Sequence, residues 1–354
     1  MGAQAVFQPE PDERALWARA ADERTRLERA APLHADAALD GYLDALAARL
    51  LSPAARAAGA PPPRVRVRRD PGMEAVAWPD GHLLLDSGLV ARLESEGQLA
   101  AVLAHELAHV ERRHALAALR SPGGVRPAGA PDRLAALGFE LTSWLAHAGH
   151  GTCREREADA QALERLAAAG FDPREAARAR ARLVEATGAA SAHARRRLAA
   201  AGRRPGGPEE AVAPAEPAGA ARFAALTRAL RIDNARLEAR AGGFDPAREQ
   251  LARLLAAAPD DPAVHLAAGE VERLAAQRAG PERAAALRQR ARAAFERALA
   301  RDPARAEAFR ELGLLHYEAG DPAAARAAFE RYLALRPEGP EARRVREYLG
   351  QLGR

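Results

Sequence analysis

His105-Glu106-Leu107-Ala108-His109 is the stretch of this chain whose residue types and spacing could do chemistry. On a helix turning roughly 100° per residue, His105 and His109 lie about 40° apart on one face, so both imidazoles can reach one metal ion. Glu106 between them can then act as general base toward a water polarised by that ion. The order His-Glu-x-x-His is the pattern of a zinc-dependent peptidase. The bland alternative is a pair of satisfied surface histidines on an Ala-rich helix.

A catalytic zinc usually takes three protein ligands and keeps one position open. The best third donor lies downstream, in Glu155-Arg156-Glu157-Ala158-Asp159. Glu155 and Asp159, four apart, share one helix face, with Gly170 and Pro173 as stop signals for that helix. Glu155 would ligate and Asp159 would fix the tautomer of a ligand imidazole. The competing reading makes Thr152-Cys153-Arg154-Glu155 a capping box, with Glu155 bonded to the backbone at the helix start. His147 and His150 are other nearby imidazoles. Cys153 reads either as a thiol at the metal or as a small buried residue at the helix start.

The elements that must position these groups follow from pattern. Ser95-Glu96-Gly97-Gln98 reads as a capping-box start, and Leu99, Leu103, Leu107 and Val110 mark the apolar side of the helix that follows. His114, nine positions after His105, projects roughly 180° away and reads as a structural histidine or one behind the ligands. Residues 1 to 55 read as helical, with a stripe of Leu39, Tyr42, Leu43, Leu46 and Leu50. Strand-like runs follow at Arg64 to Arg68, Glu74 to Trp78 and His82 to Leu85, the last two joined by a Pro79-Asp80-Gly81 turn. Pro79 lacks a strand donor, which suits a sheet edge. Ala75, Val76, Ala77 and Trp78 are therefore expected to form an edge that pairs with an extended substrate, Val76 supplying a donor. A Pro/Gly-rich loop at 121–131 precedes an apolar helix over 134–147, either a core helix or one lying on a membrane or over the site.

Residues 202–221, rich in Pro, Gly and Ala, read as a linker. Beyond them Pro259, Pro303 and Pro337 each close a helical pair, and the last two are 34 apart, the tetratricopeptide (TPR) period. Phe309, Leu312, Gly313, Gly320, Ala325 and Phe329 fill the final unit. The middle unit, with Gly269, Ala291, Phe295 and Ala298, carries about ten extra residues, and Ala247 and Leu251 mark a weaker first one. The alternative is a generic helical bundle. Such arrays present a concave surface to protein partners.

All 53 basic residues are Arg, and the net charge of +5 is small for 354 residues. The Arg195-Arg196-Arg197 run has no interleaved aromatics, so nucleic-acid binding is not expected. A single cysteine excludes an internal disulfide. No apolar leader opens the chain and no 18-residue apolar run crosses it, so no transmembrane segment is expected, and peripheral membrane contact is the alternative.

The residues quoted above, with Asp86-Ser87-Gly88-Leu89 and Ala169-Gly170-Phe171-Asp172-Pro173, resemble the zinc metallopeptidase family of HtpX and the CAAX prenyl proteases, in particular its soluble TPR-containing, BepA-like branch. The chain departs from the family pattern with Gly151 and Thr152 before the ligand Glu, and with Glu74 in place of an Asn. The family's later His-Pro motif corresponds to His193-Ala194, which would give His193 a transition-state or gating role. The resemblance implies a periplasmic or envelope-associated protein in quality control of unfolded or misassembled proteins; a cytoplasmic location is the alternative. The expected architecture is α+β: a mainly helical HExxH zinc metallopeptidase domain with a small sheet (1–201), a linker (202–221) and an all-α TPR array (222–354). The expected function is metalloendopeptidase. One zinc ion per chain is held by His105, His109 and Glu155, Glu106 is the catalytic base, and Asp159 stands behind a ligand. The alternative function is a TPR scaffold with a latent or degenerate protease domain. A closed, purely structural zinc would call for four ligands rich in Cys, which this chain does not offer.

Overall fold

The structure, a computed structural model, describes residues 9–30, 32–57, 60, 62–120, 152–187 and 217–353. They form two compact units, Met1–Leu230 and Arg231–Arg354. In the first unit, helices α1 (Pro11–Ala30), α2 (Ala37–Leu50) and α3 (Pro53–Ala57) lead into strands β1 (Arg64–Arg68), β2 (Ala75–Ala77) and β3 (His82–Asp86). Asp36 caps α2, its carboxylate accepting the N–H groups of Ala38 and Leu39 at 3.0 Å, so two orphan donors of the first turn are satisfied. The stripe Leu39, Tyr42, Leu43, Leu46 and Leu50 is buried as the spacing predicts.

The sheet has the order β1-β3-β2, with β1 parallel and β2 antiparallel to β3. The β2–β3 turn closes through Gly81 N–H to Trp78 O at 3.0 Å, with Gly81 at φ 86°, where a Cβ would be strained. Side chains alternate between faces along each strand. Val65, Val67, Ala75, Leu83 and Leu85 join the core shared with α2 and with helix α5 (Glu96–Glu111), while Val76, Trp78 and Leu84 pack under Leu16, Ala20 and Leu27 of α1. The sheet is thus a layer between α1 and the α2/α5 pair.

Register decides which backbone groups are free. Trp78 N–H donates to His82 O at 2.8 Å and Asp86 N–H to Glu74 O at 2.9 Å, so Glu74, Val76 and Trp78 face β3. The outward N–H groups of this edge strand belong to Ala75 and Ala77. The expectation that Val76 supplies the donor to a substrate is corrected by this parity, and the Trp78 side chain, 1% exposed, belongs to the core under α1.

After the short helix α4 (Ser87–Arg92), Ser95 caps α5, its Oγ accepting Gln98 N–H at 3.0 Å. Gln98 Oε1 reaches one residue past the cap, accepting Glu94 N–H at 2.8 Å. Every α5 residue from Gly97 to His109 is buried. Burying Leu99, Leu103 and Leu107 contributes on the order of 1.5–3 kcal/mol each. Helices α6 (His114–Arg120), α7 (Thr152–Ala168) and α8 (Arg174–Thr187) follow. Helix α7 packs on α5 through Ala158, Ala162 and Leu166 and through an Arg165 Nη1–Glu111 Oε1 pair at 2.9 Å. It ends as the sequence predicts, with Gly170 at φ 79° and Phe171 N–H donating to Leu166 O at 2.8 Å.

Helix α9 (Pro217–Ala241) gives Phe223 and Leu230 to the core of the first unit and Ile232, Ala235 and Ala239 to the second. Residues 217–221 of the expected linker open this helix, and 202–216 lie outside the described residues. The second unit continues with α10 (Phe244–Ala257), α11 (Pro262–Arg278), α12 (Pro281–Arg301), α13 (Ala306–Glu318), α14 (Pro322–Leu335) and α15 (Ala342–Leu352). Pro259, Pro303 and Pro337 each follow the C-cap residue of α10, α12 and α14, ending the second helix of a pair at the same position. Within pairs a glycine faces a phenylalanine: a Cβ at Gly269 would fall 2.3 Å from the Phe295 ring, and one at Gly313 2.4 Å from Phe329. The extra residues of the middle unit lengthen its helices to 17 and 21 residues, against 13 and 14 in the last.

Candidate metal centre

Glu155 on α7 faces His105 and His109 on α5 across the helix–helix interface. His105 Nε2 and His109 Nε2 are 3.0 Å apart, and the Glu155 carboxylate lies 3.4 Å from the first and 3.8 Å from the second. All three residues are buried, and among the described residues they are the group whose donor atoms gather within 4.8 Å. Glu106 is buried at 5% exposure on the same helix.

The outer nitrogens of both rings are engaged. His105 Nδ1 is 2.9 Å from Asp159 Oδ1, and the other oxygen of Asp159 is 3.5 Å from Arg180 Nη2 of α8. A carboxylate only accepts, so His105 carries its proton on Nδ1 and presents a lone pair at Nε2. His109 Nδ1 is 2.9 Å from His114 Nδ1, and His114 Nε2 is 3.3 Å from Glu157 Oε2. Burial holds the His114 pKa below its ordinary value, with the Glu157 carboxylate pulling the other way, so the ring is neutral at pH 7. Its one proton belongs on Nε2, toward Glu157. His114 Nδ1 then accepts from His109 Nδ1–H, and His109 also presents a lone pair at Nε2.

Two lone pairs and a carboxylate converge on one buried point, an electron-rich arrangement that calls for a cation. Donors about 2.0–2.1 Å from a tetrahedral zinc would be about 3.3 Å from one another. The observed separations of 3.0, 3.4 and 3.8 Å bracket that edge. The donor set, two imidazoles and one carboxylate, is that of an open zinc site.

His114 reaches His109 because the helix does not continue. Helix α5 ends at Glu111, Arg112 is its C-cap, and Arg113 takes φ 51°, a left-handed conformation that costs a residue with a Cβ roughly 1–2 kcal/mol. The chain turns there, and His114 opens α6 on the ligand side. The helical projection of His114 to the far face is corrected by this corner, which brings its ring against His109. Arg112 Nε pairs with Glu157 Oε1 at 3.1 Å, holding the far end of the relay.

Of the other residues singled out by the sequence, Ala77 borders the centre, lining a small cavity with His109, Glu13 and Arg113. The Glu155 carboxylate lies with His105 and His109 in the metal-type cluster. Cys153 is exposed and stands apart from the cluster. The Asp86-Ser87-Gly88 run is a structural device: Asp86 accepts from Arg68 Nη2 at 2.7 Å and from Glu74 N–H at 3.1 Å, and a Cβ at Gly88 would meet Pro71 O at 2.2 Å. His147, His150, His193, the 121–131 loop, the 134–147 helix and Arg195 to Arg197 lie outside the described residues. Sequence reasoning left out Glu157, Arg180 and Glu13. Glu157 alone had a signal, its place inside the run that supplies Glu155 and Asp159. A cavity of about 590 Å³ lies on the opposite face of α5, lined by Leu107, Val110 and Glu111, and contains none of the three donors.

Comparison with known proteins places the chain in a family. Residues 40–229, more than half of the chain, match the sequence profile of peptidase family M48, and residues 283–350 match a tetratricopeptide repeat profile. The chain belongs to peptidase family M48 and carries tetratricopeptide repeats. It is 31% identical over 156 residues to the putative beta-barrel assembly-enhancing protease of Vibrio cholerae, covering 40% of this chain and 32% of that protein. Against the beta-barrel assembly-enhancing protease of Escherichia coli it is 30% identical over 163 residues, covering 42% and 33%. The matched stretch thus spans about a third of the length of these relatives. Among solved structures, a thermophilic TPR protein of Thermus thermophilus aligns over 38% of this chain and 72% of its own, at 20% identity and a TM-score of 0.32. Among the described residues no helix is long and apolar enough to cross a membrane.

Proposed function

We propose that the chain is a zinc-dependent endopeptidase whose ligands are His105, His109 and Glu155 and whose general base is Glu106. The observation that carries this reading is the buried convergence of those three side chains, with both imidazoles oriented from behind. One bound zinc ion supplies Lewis acidity to the scissile carbonyl and to the attacking water. Glu106 takes the proton of that water and returns it to the departing amine. Asp159 and His114 hold the ligand tautomers throughout, and the burial of the site strengthens each electrostatic contact within it.

Substrate is brought in extended form along β2. The outward N–H groups of Ala75 and Ala77 belong to an edge strand, and Ala77 shares a cavity with His109, so a segment paired there runs past the metal. Folded cores cannot supply such a segment, which favours unfolded or misassembled proteins. The repeats recruit protein partners or substrates, and the names of the relatives, beta-barrel assembly-enhancing proteases, support a role in envelope protein quality control, with a periplasmic location as part of this proposal. The function is tested by zinc content and by cleavage of an unfolded protein set beside the same protein in its folded form. Chelation should abolish cleavage, and added zinc should restore it.

A further inference from the structure

Helix α1 lies before the stretch that matches the peptidase family, which begins at residue 40, yet its first turn reaches the corner behind the metal ligands. Glu13 is 2% exposed, an unusual place for a carboxylate, and its Oε1 lies 2.9 Å from Arg113 Nε. Its other oxygen accepts Glu10 N–H at 3.1 Å. Arg113 is the one residue other than glycine with positive φ among the described residues, and it immediately precedes His114. A buried carboxylate stripped of its cation is strongly disfavoured, so Glu13 holds the Arg113 guanidinium firmly.

The rest of α6 is fixed to the same helix. Arg120, at its far end, lies 2.7 Å from Asp12 Oδ1 and 2.5 Å from Glu10 Oε2. Between the two ends Ala115 and Leu116 bury against Leu16 and Ala20. A helix of seven residues is too short to hold itself, so its position is set by what it packs on.

We propose that α1 serves the metal centre: Glu13, through Arg113, holds the left-handed corner that seats His114 on His109 Nδ1. Glu13 and Arg113 are positioning residues that act through His114. The proposal rests on the reading of His109 as a zinc ligand.

The test uses the full chain and three proteins: wild type, Glu13→Gln, and Glu13→Gln with Arg113→Asn. Asparagine carries no charge and tolerates left-handed backbone, so it keeps the corner without the ion pair. Zinc affinity is measured by competition with a chelating dye, the ligand field by the visible spectrum of the cobalt-substituted protein, and the fold by the thermal midpoint of the metal-free protein. Glu13→Gln should weaken zinc binding about tenfold, the low end of what partners behind metal ligands cause, and should alter the cobalt spectrum. The double variant should recover most of the affinity and the wild-type spectrum. Wild-type zinc affinity in Glu13→Gln would overturn the proposal. So would a loss that follows the thermal midpoint and is not recovered by Arg113→Asn, since α1 would then support only the fold. Should Glu13→Gln not fold, Glu13→Asp, which keeps the charge on a shorter arm, replaces the single variant alone, with the same expected loss of zinc affinity and change of the cobalt spectrum, while the double variant keeps Gln at position 13 so that no buried carboxylate is left without its cation. If His109→Ala leaves zinc affinity unchanged, the ligand reading fails rather than the role of α1.

Discussion

His109 and His114 face one another through their Nδ1 atoms at 2.9 Å, five residues apart in sequence and on two different helices. In that contact His109 donates and His114 accepts. Asn places its side-chain oxygen where His has Nδ1, whereas Gln places its polar end nearer Nε2. His114→Asn should therefore keep zinc affinity close to wild type, and His114→Gln should lower it about 10- to 100-fold. Isothermal titration of the metal-free variants would decide; equal affinities in the two would remove His114 from behind the ligands.

Glu155 and Asp159 sit on one face of α7, and the proposed centre gives them different duties. Glu155→Gln exchanges an anionic donor for a neutral one and should lose most of the zinc, with little change in the thermal midpoint of the metal-free protein. Asp159→Ala should keep the metal more weakly, by about 10- to 100-fold. Metal content after dialysis against a graded chelator series orders the variants. Full zinc retention in Glu155→Gln would exclude it as a ligand.

Backbone parity along β2 separates two neighbouring substitutions. Ala77→Pro removes an N–H that points away from β3, a position where an edge strand accepts proline, so zinc and fold should persist while cleavage of an unfolded protein falls. Val76→Pro removes a bond to Leu84 within the sheet and disturbs the core under α1, so it should lower the thermal midpoint instead. Undiminished cleavage by Ala77→Pro would contradict substrate pairing through this edge.

The juxtaposition of His105 and His109 was legible in the sequence because an i, i+4 spacing determines geometry wherever a helix forms, and the Ser95 cap and Leu stripe mark that helix. Glu155 needed a second helix, and its burial against α5 could not be read from its own neighbours, which equally fitted a cap. His114 was misplaced because a wheel projection assumes a continuing helix, and nothing local in Arg112-Arg113 announces a left-handed residue; the ion pair to Glu13 that accompanies it spans one hundred positions. Strand β2 was legible as an edge from Pro79. Its parity was not, since which residues face β3 depends on the pairing register and not on composition. The repeats were legible through their prolines, which mark helix ends by chemistry alone.

The repeat unit offers a control that leaves the metal centre intact. Gly313 admits the Phe329 ring, and a Cβ there would fall 2.4 Å from it. Gly313→Val should destabilise the second unit by about 1–3 kcal/mol through overpacking. Denaturant unfolding should show that loss. Zinc content and cleavage of a short unstructured peptide should be unchanged, while association with a protein partner weakens. Loss of short-peptide cleavage would mean that the repeats are required by the active site and not only for recruitment.

The central claim, that Glu106 is the base beside a zinc held by His105, His109 and Glu155, is tested most directly by Glu106→Gln. Zinc content and peptide cleavage should be measured on the same preparation. The account predicts one zinc per chain in wild type and variant alike, an unchanged thermal midpoint, and cleavage reduced by at least about a hundredfold, the lower range of a general base's contribution. A variant that keeps its zinc and cleaves at the wild-type rate would contradict it.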